Sequence, residues 1–286
     1  MRALIVNADD FGLHEVINAA VIEGHRQGCI TSASLMCNGD AFSGAVAISR
    51  ANPGLGVGLH LTLVGGGRPV AHPEEVPTLV DKNGCLPKAY PQFLRRFCAR
   101  RISLSDVRTE FRYQIEAALG AGIQPTHLDS HQHLHVLPGI IDIVLELAKA
   151  FDIPALRLPA EPVFFIGGAG FKPVRMATRG GLTMFAALAR RKVRAAGLLA
   201  PDNFFGMLAG GSLGEERLAQ ICSHLPEGVT EVMMHPGTDN MALRRRFGWP
   251  YNWEEELAAV KSHRVASLLK TLGVSLISFR ELGRNV

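Results

Sequence analysis

Short apolar runs alternate with longer amphipathic stretches along almost the whole chain, and this rhythm restricts the fold more than any single motif does. Residues 3–7 (ALIVN), 30–37 (ITSASLMC), 55–63 (LGVGLHLTL), 126–130 and 155–159 read as strands. Three further candidates lie at 204–208, 230–235 and 274–279. Between them, 14–27, 41–51, 105–120, 139–150, 215–224 and 254–272 read as helices, with Ser105 expected to cap one and Pro138 to open another. Strands that alternate with helices build βαβ units, in which successive strands run parallel. Seven or eight such units predict an α/β fold, a distorted (β/α) barrel of mostly parallel strands. No G-x-G-x-x-G follows the first strand, which argues against a dinucleotide-binding sheet. A single domain over 1–286 is expected, with insertions at about 64–101 and 161–200 forming lid or substrate-specificity elements.

A chain with 47% hydrophobic residues can fill the core such a barrel requires. A net charge of only +4 gives no reason to expect nucleic acid as a partner. The cysteines (Cys29, Cys37, Cys85, Cys98, Cys222) are scattered singly, which fits neither a disulfide framework nor a zinc finger and suits a reducing compartment. The first residues, MRALIVNADDFG, reach acids too soon for a signal peptide, and no run is long and apolar enough to span a bilayer. The expected location is the cytoplasm.

The polar residues that stand out lie at or just past the C-terminal ends of the predicted strands. Asp9 and Asp10 follow the first, Asn38 the second, and His60 comes late in the third. His127, Asp129, His131, His133 and His135 close the fourth, Arg157 lies in the fifth and His235 ends a later one. In parallel barrels this is the face on which active sites form. Each residue has a plainer reading when taken alone. Asp9-Asp10 could cap the next helix, and a histidine in an apolar strand is usually a core residue bonded to a carbonyl. Their convergence on one rim is harder to ascribe to packing.

The run 127–135 holds four of the chain's eleven histidines. Extended, its odd positions would share one face; helical, 127/131 and 131/135 would pair. Either way imidazoles gather beside a carboxylate, though not all four can ligate one ion, so some must orient ligands or meet substrate. Asp9 and Asp10, if extended, point in opposite directions, so one can bind a metal while the other acts as a base. Mixed Asp/His ligation suits Zn²⁺, Mn²⁺ or Fe²⁺, and oxygen-rich variants accept Mg²⁺. Arg157 inside an apolar strand needs a partner, for which Asp9 is the natural candidate. Gly210-Gly-Ser212-Leu-Gly214 matches the nucleophile-elbow pattern. Ser212-Leu-Gly-Glu215 is also a capping box for the following helix, and that reading explains the serine without catalysis.

NADDFG at 7–12, GLHLTL at 58–63, THLDSHQHLH at 126–135 and MHPG at 234–237 together resemble the YdjC-like carbohydrate deacetylases, distorted barrels whose chemistry is related to that of NodB-type polysaccharide deacetylases. GLHLTLVGGGRPV and LRLPAEP are similar to the branch associated with hopanoid biosynthesis. The resemblance implies Asp10, His60 and His131 as ligands of one divalent cation, Mg²⁺ or Zn²⁺ with Mn²⁺ as a further candidate. It implies Asp9 as general base, His235 as general acid, and Arg157 as the group that orients Asp9. Asn38, His127, Asp129 and His133 become substrate contacts or outer-shell groups. The implied reaction is hydrolysis of the N-acetyl group of an amino sugar, in an N-acetylglucosamine-type oligosaccharide or a glycolipid such as a hopanoid conjugate, with acetate released.

Between Pro162 and Ala200 there is no acid, while Lys172, Arg175, Arg179, Arg190, Arg191, Lys192 and Arg194 interleave with Phe164, Phe165, Phe171, Met184, Phe185 and Leu188. This suits either a lid packed on the barrel or peripheral contact with the inner face of a membrane. The expected partner is a small sugar or glycolipid, and a homodimer is compatible with the sequence. Three rivals stand beside the deacetylase reading: a metal-dependent phosphoesterase on a similar barrel, a serine esterase using Ser212, and a non-catalytic metal-dependent sugar-binding protein.

Overall fold

The structure is a computed structural model that describes residues 2–162 and 173–283. Its elements run β1 (Arg2–Phe11), α1 (Glu15–Gln27), β2 (Ser32–Leu35), α2 (Phe42–Ala51), β3 (Gly56–Leu61), α3 (Tyr90–Cys98), α4 (Leu104–Gly120) and β4 (Leu128–Ser130). They continue α5 (Ile140–Ala150), α6 (Pro173–Ala195), β5 (Asn203–Phe205), α7 (Glu215–Ser223), β6 (Gly228–Met234), α8 (Asn240–Phe247), α9 (Trp253–Val260), α10 (His263–Thr271) and β7 (Ser275–Leu276). One 3₁₀ turn follows β4 at His131–Val136, and a second lies at Phe279–Glu281.

All the strand pairs are parallel, in the order β4-β3-β2-β1-β6-β5, with β7 also on β1. The sheet curls toward closure. Leu128 bridges to Leu156 and Ala155 bridges to Leu199, just before β5. The ring is therefore completed by single bridges, which is the distorted barrel the rhythm predicts. The expected strand at 155–159 shrinks to these bridges because Pro154 and Pro159 bracket it and supply no N–H to a ladder.

β1 is buried along almost its whole length, as a central parallel strand covered on both faces must be. Leu4, Val6 and Ala8 join Leu59, Leu61, Leu128 and Val232 in one continuous core with the inner faces of the helices. Several local expectations are corrected. α4 is capped by Ser103, whose side chain accepts from the Ser105 amide, so Ser105 is inside the helix. The single helix expected over 254–272 is two, because Ser262 turns its side chain onto the Arg264 and Val265 amides and starts α10 afresh. Gly214, and not Ser212, is the N-cap of α7; the Ser212 hydroxyl instead donates to the Ala209 carbonyl and accepts from Arg217.

Both insertions are fastened to the barrel. In the first, the Glu110 carboxylate of α4 accepts from the Val70 and Ala71 amides, and Asp106 accepts from Thr78. In the second, α6 buries Ala186, Ala189 and Val193. Arg179, read from sequence as part of a basic surface, is instead only 1% exposed and lies 4.0 Å from Glu161. Phe164, Phe165, Phe171, Lys172 and the side chain of Arg175 lie outside the described residues. No helix among the described residues is long and apolar enough to cross a membrane.

Candidate metal centre

The end of β1 departs from strand geometry where its chemistry begins. The register with β2 breaks between Ala8 and Phe11, and Asp10 has φ 63°, in the left-handed region. This irregularity overturns the expectation that adjacent acids diverge: His60 Nε2 lies 3.8 Å from Asp9 Oδ2 and 3.5 Å from Asp10 Oδ1. From past the end of β4, His131 brings Nδ1 to 3.1 Å from the same Asp10 oxygen. The 3₁₀ turn that presents His131 is itself irregular, with Gln132 at φ 57° and His133 at φ 58°. Gln132 Oε1 accepts the Tyr90 amide at 2.7 Å, tying the turn to α3.

Asp10, His60 and His131, all buried, thus offer donor atoms within 4.8 Å of one another. Three features suit this trio to a cation. Asp10 Oδ1 is sealed from solvent and accepts no hydrogen bond despite two imidazole nitrogens close by. His60 Nδ1 donates to Asp129 Oδ1 at 2.8 Å, which leaves Nε2 as the nitrogen that faces the trio. The centre also draws positive charge. Burial opposes charging His60, yet Asp129 and Asp9 push it up to about 9. Asp10 is held well below the usual carboxylate range by His131 and His60, although burial alone would raise it.

Behind the trio, Arg157 is completely buried and gathers three acids. It donates to both oxygens of Asp9 at 2.7 Å, lies 2.6 Å from Asp129 Oδ2, and reaches Glu231 Oε1 at 2.7–2.8 Å. Asn7 Nδ2 adds a hydrogen bond to Asp9 Oδ1. Burial works against the guanidinium, but these carboxylates outweigh it and raise its pKa further. Burial pushes Glu231 up to about 7. Asp9, Asp10 and Asp129 outnumber Arg157 and a charged His60, an excess of buried negative charge that a divalent cation would offset.

The histidine run divides. His127 stacks on Phe279 at 3.7 Å, and burial depresses it to about 3. His135 bonds Ser130 and the Arg157 carbonyl, and burial lowers it to about 4. These two brace the site from below. His133 is buried against Phe204 with Nδ1 unpartnered. His235, just after β6, has its amide held by Glu256, and its Nδ1 makes no hydrogen bond but lies 3.9 Å from Glu256 Oε2. Asn38, past the end of β2, donates from Nδ2 to the Arg68 carbonyl of the first insertion.

Sequence reasoning missed Glu231 and Glu256. Glu231 sits in an apolar strand (TEVMM) just as Arg157 does, and the same argument from a buried charge would have paired them. Glu256, in the acidic first turn of α9, looks like a helix-start residue and gives no such signal.

A family model described as YdjC-like protein matches residues 3–271. A carbohydrate deacetylase of Clostridium beijerinckii is 31% identical over 280 residues, covering 98% of this chain and 99% of that protein. A chitooligosaccharide deacetylase of Serratia marcescens is 31% identical over 283 residues, with coverage of 98% and 99%. Among solved structures, a chain of Enterococcus faecalis V583 described as a candidate cellobiose-phosphate cleavage protein superposes with a TM-score of 0.78 at 24% identity, covering 98% of each chain. That likeness extends to the fold.

Proposed function

The chain belongs to the YdjC-like family, and from that premise we propose that it is a metal-dependent hydrolase that removes the N-acetyl group of an amino sugar as acetate. Full-length relatives named carbohydrate and chitooligosaccharide deacetylases support the reaction class. The observation that carries the reading is the convergence of Asp10, His60 and His131 beside an aspartate gripped by a buried arginine.

Asp10, His60 and His131 are the residues that would hold the cation. When bound, a divalent ion supplies Lewis acidity toward an amide carbonyl and toward water. Two imidazoles and one carboxylate suit Zn²⁺ or Mn²⁺ and also admit Mg²⁺. Asp9 is the general base. Arg157 fixes its carboxylate with two nitrogens, and Oδ2 accepts one hydrogen bond from that guanidinium while facing His60. A lone pair on Oδ2 is left to take the proton of an attacking water. Asp129 sets the His60 tautomer and helps anchor Arg157. His235 protonates the departing amine, since an amide nitrogen cannot leave as an anion.

A binuclear phosphoesterase is the weaker reading. Asp9, His60 and Asp129 form a second overlapping donor group, but both of its carboxylates are already bound to Arg157. The substrate class we favour is an N-acetylglucosamine-type oligosaccharide or glycolipid. α6 exposes Met184 and Leu188 ahead of Arg191 and Arg194, an arrangement that suits a lipid-borne sugar, a hopanoid conjugate included.

The test is acetate release from N,N′-diacetylchitobiose, N-acetylglucosamine and N-acetylglucosaminyl lipids, with several divalent ions supplied in turn. Asp9→Asn should lose roughly 10²–10⁴ in rate while keeping its bound metal. Activity that survives exhaustive chelation, or no acetate from any amino sugar with any ion, would end the reading.

A further inference from the structure

The two imidazoles of the metal trio are held by different means. His60 Nδ1 donates to the Asp129 carboxylate, the common restraint on a metal-ligating histidine, which fixes both its tautomer and the plane of its ring. His131 has no such acceptor among the described residues. Its Nδ1 faces Asp10, and its Nε2 meets the Gln132 side-chain nitrogen at 3.5 Å. Gln132 Oε1 is taken up by the Tyr90 amide, so the end of the side chain turned toward the imidazole is the one that donates and cannot accept.

The turn that carries His131 adds to the need for support. Gln132 and His133 both lie in the left-handed region, where residues other than glycine are strained, so the turn does not keep its shape by local preference. A ligand at the head of such a turn requires restraint from elsewhere in the chain.

Trp249 is placed to supply it. Its ring stacks against the His131 imidazole with centroids 5.5 Å apart and planes 29° from parallel. Phe247 stacks on Trp249 in turn, at 5.0 Å and 26°, so the indole is committed to ring partners within the protein. Tyr251 lies 5.7 Å from Trp249 and 5.4 Å from Trp253, which is fully buried. These aromatics occupy every second position of 247–253, the segment that joins α8 to α9. The segment is itself fastened, with the Asn252 amide donating to the Gly211 carbonyl at 2.8 Å and the Gly237 amide to the Trp253 carbonyl at 3.1 Å. Gly211 has φ +79°, and a Cβ there would lie 2.2 Å from the Tyr251 ring. A row of rings thus runs from the core to one ligand of the trio.

We propose that Trp249 is the positioning residue of His131, fixing by stacking the imidazole plane that Asp129 fixes for His60 by hydrogen bonding. This rests on Asp10, His60 and His131 being the ligands of the cation, and it adds the group that sets the orientation of the third. An aromatic face restrains the ring without placing a further acid in a centre already rich in them.

The test is the Zn²⁺ affinity of the metal-free chain, titrated against a competing chelator. Wild type, Trp249→Ala, Trp249→Phe, His131→Ala and the double variant Trp249→Ala/His131→Ala would be compared. Trp249→Ala should raise Kd about tenfold or more, the scale set by losing the group that orients a ligand. Trp249→Phe keeps a face to stack and should recover most of that loss. Because Trp249 acts through His131, the double variant should bind no more weakly than His131→Ala alone. Ser262→Ala, which weakens the start of α10 instead, should bind as the wild type does, and so separates lost orientation from lost stability. An unchanged Kd in Trp249→Ala, no recovery in Trp249→Phe, or losses that add in the double variant would overturn the proposal and leave the reading of the trio standing. No Zn²⁺ binding by the wild type, or an affinity indifferent to His131→Ala, would overturn both.

Discussion

Glu231 is buried in β6 with one oxygen accepting from Arg157 and the other without a hydrogen-bond partner. Arg157 faces it from beyond β4, and Asp9 and Asp129 lie on the far side of the same guanidinium. Burial outweighs the guanidinium and lifts Glu231 from the usual 4.5 to about 7. A carboxyl whose folded pKa is raised contributes stability that is complete below the unfolded value and is lost as pH rises through the folded one. Between pH 4.5 and 7 this group should therefore cost the wild type on the order of 3 kcal/mol. Glu231→Gln keeps an oxygen for Arg157 and removes the titration. Its stability relative to wild type, from denaturant unfolding at several pH values, should rise across that window; a pH-independent difference would refute the assignment. Gly58 gives a second test at this scale. Its Cβ would lie 2.3 Å from the His127 ring, which Phe279, Ser34 and Thr126 hold in place. Gly58→Ala should destabilise by about 2–3 kcal/mol in the same assay. The sequence displays this glycine in its GLHLTL motif, but its reason lies in a residue 69 positions away.

At the scale of elements, what could be read from sequence followed from how local each signal is. Periodicity located most helices and strands because a buried face imprints itself on consecutive turns or pleats. Boundaries were poorer where two polar residues competed to cap. Ser103 and Ser105 are equally good N-caps by composition, and only the chain's path selects Ser103. Ser262 lies in a stretch that reads as one helix, and its capping of α10 is visible only once the chain turns there. Ser262→Ala should cost about 1 kcal/mol, seen as a lowered denaturation midpoint with unchanged slope. No loss would mean that packing of Val265 and Leu269 alone sets the start of α10. The site was legible for the same local reason, since its side chains stand at strand ends. The left-handed Asp10 was not, because a bulge depends on the register of a neighbouring strand.

Across the whole molecule, the proposed cation has a mechanical role that follows from where its ligands reside. Asp10 belongs to β1, His60 to β3 and His131 to the turn after β4, so one ion would join segments spread over half the sheet. On the side that closes through 155–156 and 199, single bridges replace ladders, and the ion pairs of Arg157 to Asp9, Asp129 and Glu231 supply much of what holds that segment. Without an ion, the buried aspartates have only Arg157 and a charged His60 to offset their mutual repulsion. Binding to the folded chain alone stabilises it by an amount set by ligand excess, about 2.7 kcal/mol at one hundred times Kd. For a chain of this length, such a gain corresponds to a Tm rise of roughly 4–5 °C. Chelation should therefore lower Tm by several degrees and restored Zn²⁺ or Mn²⁺ should reverse it, as read by calorimetry. Asp10→Asn should show a Tm indifferent to either treatment. If chelation leaves the wild-type Tm unchanged while an ion is shown to have been removed, the trio does not brace the barrel, and its convergence has to be explained by chemistry alone.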